Sequence, residues 1–162
     1  MSHYPVSKAV FLKIWTPDMR HIVLVDHRRK GWSLPGGNQQ ESDLSDYKSE
    51  LGQEIQTATR EIREETNLTD QEYTIDWDSR FVVPKSSDHS FVVFNANYKS
   101  NNVRDGTLKP CGDKGNVTEV RWADCYDMME GKIDQRLIYQ FHLLLINGER
   151  NLNKLLAACS PE

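Results

Sequence analysis

Long apolar runs, paired cysteines and surplus positive charge are all scarce in this chain of 162 residues. The longest unbroken apolar stretch is 155–159, far short of the roughly 20 residues that cross a bilayer. Residues 1–6 have neither the basic nor the apolar region of a secretory leader, so a soluble, cytoplasmic protein with no membrane partner is expected. The three cysteines, Cys111, Cys125 and Cys159, are widely spaced and form no C-x-x-C; reduced thiols are expected rather than a disulfide framework. The five histidines form no H-x-H or H-E-x-x-H pair, which argues against a zinc enzyme. No G-x-S-x-G, P-loop or G-x-G-x-x-G occurs either. The formal net charge is −4, which disfavours coating nucleic acid through bulk electrostatics but leaves room for a phosphorylated ligand held through a metal.

What remains is an ordinary globular composition: 38% hydrophobic, 27% charged and 9% aromatic. At this length about 70% of the unfolded surface is buried on folding, so a core forms without staples. With no repeat and no low-complexity linker, residues 1–162 read as a single domain. Alternation of Val10, Leu12 and Ile14 predicts a strand over 6–15, and a second apolar run covers 22–25. Pro35-Gly36-Gly37 then breaks regular structure, and 38–48 reads as a polar loop. Leu51, Ile55, Ala58 and Ile62 predict a helix over 49–66, ended by Asn67 in left-handed geometry. Strands are expected over 73–83, 90–98 and 117–122, with a long loop at 100–116. A last helix over 135–146 and a short amphipathic piece at Leu152, Leu155 and Leu156 follow. Those leucines either close the chain's own core or pair two copies as a homodimer. Strands on both sides of a central helix suggest an α+β fold, a mixed sheet covered by helices.

The chemistry concentrates in Arg60-Glu61-Ile62-Arg63-Glu64-Glu65. With the apolar stripe at zero and roughly 100° per residue, Glu50, Glu54, Glu61, Glu64 and Glu65 share one flank, within an arc of about 100°. Like charges at i,i+4 destabilise a helix by a few tenths of a kcal/mol per pair. Two readings resolve the repulsion. Hard divalent cations want carboxylate oxygens, and this spacing brings Glu61, Glu64 and Glu65 to one point; alternatively the helix is a charged surface laced with salt bridges.

Leu34-Pro35-Gly36-Gly37 upstream of that helix tips the balance, because the two pieces together resemble the Nudix family signature: Gly, five residues, Glu, seven residues, then Arg-Glu-apolar-x-Glu-Glu-x-Gly-apolar. Gly37 fits the opening glycine, while Arg60, Glu61, Ile62, Glu64, Glu65 and Leu68 fit the second half; Asn67 replaces a glycine. Arg60 lies 23 positions after Gly37 instead of 14, so nine residues are extra. Counting back eight from Arg60 gives Gly52, which leaves the signature's first glutamate unassigned; Glu50 and Glu54 are the acids at hand to substitute. The extra residues are expected to lengthen the loop before the helix.

The resemblance implies a Nudix-like α/β/α sandwich and a hydrolase that cleaves the diphosphate of a nucleoside diphosphate linked to another group, using Mg2+ or Mn2+. By resemblance, Glu61, Glu64 and Glu65 hold metal, with the Gly37 carbonyl as a further ligand, and Arg60 orients the glutamates. A carboxylate, Glu61, Asp113 or Glu119, takes the proton of the attacking water. Trp32, Trp77 and Phe81 are candidates for stacking on a base, and Arg28, Lys30, Arg80 and Lys85 for meeting phosphate, each set against the ordinary reading of buried aromatics and solvated charges. The alternative function is a Nudix-fold sensor that binds a nucleotide without cleaving it.

Overall fold

The computed structural model describes residues 7–44, 49–103, 107–111, 116–125, 127, 138–139, 142 and 146. Among the described residues seven strands form one sheet: β1 (Ser7–Trp15), β2 (His21–His27), β3 (Gly31–Ser33), β4 (Gly36–Asn38), β5 (Tyr73–Ser86), β6 (His89–Tyr98) and β7 (Val117–Asp124). A helix, α1 (Glu50–Thr66), stands between β4 and β5 in sequence. Among these seven strands β1 and β6 run parallel, over nine residue pairs from Ser7↔His89 to Trp15↔Asn97, and the other strand pairs are antiparallel. This is the expected α+β arrangement with a mixed sheet.

The two-residue period of β1 divides the core into two layers. Ala9, Phe11 and Trp15 join Ile22, Leu24, Phe91 and Val93 on one face. Val10, Leu12 and Ile14 join Val23, Val25, Val92 and Phe94 on the other, where Ala58 and Ile62 of α1 cover them. Leu51 and Ile55, partly buried, complete the helical stripe. Ser49 caps the start of α1 by accepting from the Gly52 N–H at 3.0 Å. Asn67 ends it at φ 69°, its N–H donating to the Arg63 carbonyl at 3.1 Å.

Strands β1 and β2 touch at Trp15↔Ile22 and then diverge. The fork between them is filled by the next stretch of chain: β3 pairs with β2 through Val25↔Ser33, and β4 pairs with β1 through Ala9↔Asn38, Val10↔Gly37 and Phe11↔Gly36. Between them Pro35, which has no N–H to give, accepts from the Leu12 N–H at 3.1 Å. The fork carries the Pro-Gly-Gly break into the middle of the sheet rather than onto a surface turn.

Three sequence expectations need adjustment. Residues 38–48 are not wholly irregular, because Glu41–Leu44 forms a 3-10 turn that buries Asp43. The helix expected over 135–146 does not include Ile138 and Tyr139: Ile138 forms a parallel bridge with Trp32, and the Tyr139 N–H donates to the Trp32 carbonyl at 2.8 Å. The edge of β3 had a carbonyl to offer, and pairing with it holds the chain extended there. His142 and Ile146 are helical; Ile146 is buried in the layer of Phe11 and Phe91, and the His142 ring packs on both of those phenylalanines. β7 runs to Asp124 rather than ending at Trp122, because His21↔Asp124 continues its ladder with β2. Leu152, Leu155 and Leu156 lie outside the described residues. Among the described residues no helix is long and apolar enough to cross a membrane.

The Asn67 conformation gives a direct test. Left-handed geometry penalises a Cβ but not glycine, so Asn67→Ala should lower stability by about 1 kcal/mol while Asn67→Gly is neutral or slightly stabilising. Urea denaturation midpoints of the two variants check this.

Candidate functional site

The face of α1 turned toward the fork carries the acidic cluster. Glu61 and Glu65 are both buried. Glu65 Oε1 accepts from the Gly36 N–H at 2.7 Å, so a sheet amide and a helix carboxylate meet directly. Such a bond to an ionised acceptor is among the stronger kinds, and it satisfies two buried groups at once. Gly36 has φ +147°, and a Cβ there would lie 2.1 Å from the Val10 carbonyl oxygen. At Gly37 a Cβ would lie 2.6 Å from Glu61 Cδ and within 2.8 Å of both its oxygens. Each glycine therefore makes room for a different neighbour: the first for the backbone of β1, the second for the Glu61 carboxylate.

Arg60 ties the cluster to the loop before the helix. Its Nε and Nη2 donate to the two oxygens of Asp43 at 2.9 and 3.0 Å. Nη1 reaches Glu61 Oε1 at 2.9 Å and Glu64 Oε2 at 3.3 Å, and Nη2 also reaches the Asn38 carbonyl at 3.1 Å. Asp43 further accepts from the Gln40 N–H and the Thr57 hydroxyl. Burial pushes the Asp43 carboxyl up, but these donors outweigh it and hold the group below the usual carboxylate range. The same pairing, led by the Asp43 hydrogen bonds, raises the Arg60 pKa further above its already high value.

Asp43 is the residue that sequence reasoning missed, although a signal was present. Five residues separate it from Gly37, which is the signature's own spacing for its first acid. Counting back from Arg60 failed because the nine extra residues lie between Asp43 and Arg60. Glu50 and Glu54, the substitutes at hand, are committed elsewhere. Glu54, with no exposed side-chain surface, pairs with Lys8 Nζ at 2.9 Å and with Arg80 Nε at 2.6 Å. Glu50 also meets Lys8 and reaches Arg80 Nη2 at 3.5 Å. These ion pairs brace α1 to β1 and β5.

A cavity of about 370 Å3 opens at the fork. Gly37, Glu61 and Glu65 line it, and so do Lys30, Lys85, His142, Phe11 and Phe91. Glu64 keeps about a third of its side chain exposed beside Arg60. Glu119 does not line the cavity; it is exposed and lies 3.8 Å from Arg121. Asp113 lies outside the described residues. Trp77 and Phe81 are exposed on β5 away from the cavity, and Trp32 is buried with the Arg121 guanidinium 4.6 Å from its ring centre. Of the four cations proposed to meet phosphate, Lys30 and Lys85 reach the cavity, whereas Arg28 is not part of its wall and Arg80 is bound to Glu54. Among the described residues no three His, Cys, Asp or Glu side chains are already gathered as a cage.

Comparison with known proteins bears on this arrangement. The family profile described as NUDIX domain matches residues 6–143. None of the curated proteins matches the chain. Among solved structures, the chain is similar to a C. elegans Ap4A hydrolase in a binary complex, with 18% identity, a TM-score of 0.59 and coverage of 92% of this chain and 98% of that one. It is also similar to the NUDIX domain of Shewanella oneidensis NrtR complexed with ADP ribose, with 18% identity, a TM-score of 0.61 and coverage of 95% and 90%. A third similar structure is a bifunctional NMN adenylyltransferase/ADP ribose pyrophosphatase from Francisella tularensis with AMP and Mn ion. There the identity is 19% and the TM-score 0.60, and 99% of this chain spans 44% of that one. At these identities the likeness establishes the fold.

The Arg60–Asp43 pair makes its own prediction. Asp43→Asn should cost about 1–3 kcal/mol at neutral pH, since it removes the bidentate partner of a partly buried guanidinium. Because the folded carboxyl titrates below its unfolded value, its contribution is present above about pH 4 and fades as pH falls through the depressed value. The stability gap between wild type and Asp43→Asn, measured by chemical denaturation across pH 2.5–7, should therefore narrow only on the acid side.

Proposed function

Because the chain belongs to the NUDIX domain family, we propose that it acts, as one domain, as a divalent-metal-dependent pyrophosphohydrolase on a nucleoside diphosphate linked to another group. The observation that carries this reading is the placement of Glu61 and Glu65 on the wall of a cavity that Lys30 and Lys85 also line. Ap4A, ADP ribose and AMP, printed for the similar structures, all contain such phosphates or a product of their cleavage.

The donor set fits Mg2+ or Mn2+. All candidate ligands are oxygens, carboxylates and the Gly37 carbonyl, and Mg2+ characteristically uses one or two carboxylates, several waters and substrate phosphates rather than a closed protein cage. Glu61, Glu64 and Glu65 would hold the ion, with Gly37 beside them. When bound, the ion neutralises diphosphate oxygens and lowers the pKa of water. The chain's own residues do the rest. Arg60, gripped by Asp43, orients the Glu61 and Glu64 carboxylates and is a positioning residue. The Gly36 N–H fixes Glu65 in the same way. Glu61, on the cavity wall where Glu119 is not, accepts the proton of the attacking water. No covalent intermediate with the protein is needed, since in-line attack at phosphorus depends on positioning and charge.

A second reading, a sensor that binds without hydrolysis, draws support from Arg60, which engages Glu61 and Glu64 together. Two measurements separate the readings. Mg2+ or Mn2+ should raise the melting temperature of wild type but not of Glu64→Gln. Incubation with nucleoside triphosphates, dinucleoside polyphosphates, ADP-ribose and nucleotide-sugars plus metal should release a nucleoside monophosphate from at least one. Glu64→Gln should lose that activity on the order of a hundredfold or more. Metal-dependent melting without turnover at high enzyme concentration would identify a sensor.

A further inference from the structure

His89 opens β6 and lines the same cavity as Glu61 and Glu65, yet none of the proposed catalytic steps uses it. The parallel register of β1 and β6 sets Ser7 opposite it. The Ser7 N–H donates to the Asp88 carbonyl at 3.0 Å, and the Ser7 hydroxyl donates to that same oxygen at 3.1 Å. Ser7 Oγ also lies 2.6 Å from His89 Nδ1. A serine hydroxyl has one hydrogen to give. With that hydrogen on Asp88, Oγ is an acceptor toward the ring, so the ring hydrogen sits on Nδ1 and Nε2 keeps its lone pair. The opposite tautomer would turn the serine hydrogen to the ring and leave Oγ against the Asp88 oxygen as two facing acceptors.

The ring is also neutral. Burial, followed by repulsion from Lys85 and Lys30, lowers the imidazole pKa below its ordinary value, against an opposing pull from Asp88. Phe91 meets the ring edge-on, 5.6 Å between centres and 87° between planes. Ser7 is not part of the cavity wall, whereas His89 and Phe91 are. With Nδ1 turned to β1, the ring edge left for the cavity is the one that carries Nε2. His89 is partly exposed, and no described residue donates to Nε2. A lone pair of this kind offers nothing to an ionised phosphate oxygen, which is itself an acceptor. What it takes is a donor: a ribose hydroxyl or an N–H on the edge of a base.

We infer that His89 Nε2, oriented by Ser7, accepts a hydrogen bond from the nucleoside of the substrate. This rests on the reading of the cavity as a nucleotide site and deepens it, since it sets the nucleoside rather than the phosphates at the start of β6. His89 reads the donor, and Ser7 is its positioning residue.

Nitrogen NMR of the histidine rings tests the tautomer directly: a hydrogen on His89 Nδ1 is expected, and one on Nε2 overturns the inference. Binding of AMP, GMP, CMP and UMP in EDTA, followed by calorimetry, then tests the contact without metal or turnover. His89→Phe should weaken the tightest of the four by roughly three- to tenfold, as expected for one lost hydrogen bond. Ser7→Ala should weaken it too, Ser7→Thr should restore it, and Ser7→Ala should add nothing in the His89→Phe background. That last result separates positioning from a general loss of stability. The 2′-deoxy, 3′-deoxy and base-methylated analogues of the same nucleotide distinguish the sources. The one that lacks the donor should bind wild type and His89→Phe equally well, and a preference for wild type that survives in all of them overturns the inference. Equal affinity of wild type and His89→Phe for all four nucleotides, absence of binding included, overturns it as well. If a diphosphate substrate is hydrolysed with the same kcat/KM by both proteins, the inference fails while the hydrolase stands. If nucleotide binding depends on His89 but nothing is hydrolysed, the hydrolase reading fails while the contact stands.

Discussion

The contact on which the rest depends is the meeting of α1 with the Gly36–Gly37 segment. A helix and a strand normally keep a full layer of side chains between them. Here a carboxylate at the helix surface accepts directly from a strand N–H, and the next carboxylate lies against a glycine α-carbon. That approach is possible only because β1 and β2 diverge after Trp15↔Ile22 and leave a fork for β3 and β4 to fill. Two acids are thereby buried at the end of a fork rather than spread into solvent, and the cavity forms where they stop.

Five glutamates on one flank of a helix looked like a single repulsive feature, but the fold divides them in two. Glu50 and Glu54, at the start of α1, are neutralised by Lys8 from β1 and Arg80 from β5. The pairs of the buried Glu54 lock the helix to the sheet and owe their strength to satisfied geometry as much as to charge, whereas those of Glu50 are exposed. Glu61 and Glu64, two turns further on, share one guanidinium, which is itself held mainly by Asp43, while Glu65 takes the Gly36 N–H. At this end of the helix Glu61 and Glu65 line the cavity. The salt-bridge reading holds for the first half of this helix, and the proposed metal site belongs to the second.

The elements nearest the site were the most legible in the sequence. Alternation in β1, the Leu51–Ile55–Ala58–Ile62 stripe and the Asn67 terminus each follow from a local rule, and each appears in the structure. Asp43 was legible only by counting forward from Gly37, because an insertion disturbs spacing on one side of itself and preserves it on the other. The extended geometry at Ile138 and Tyr139 carried no local signal; its cause is the exposed edge of β3, more than a hundred residues earlier in the chain. Lys30 and Lys85 could be named as basic, but nothing near them in sequence distinguishes them from Arg28 or Arg80.

The amino-acid sequence by itself determined the acidic helix, its apolar face, the glycines that precede it and the family to which their order belongs, since these depend on helical periodicity and on side-chain size. The tertiary structure alone decided which charges are paired and which face a cavity. Partnership depends on distances between strands far apart in the chain, and periodicity says nothing about those. Arg80 and Lys85 lie five residues apart on one strand; one closes an ion pair and the other lines the cavity because the sheet turns them toward different neighbours.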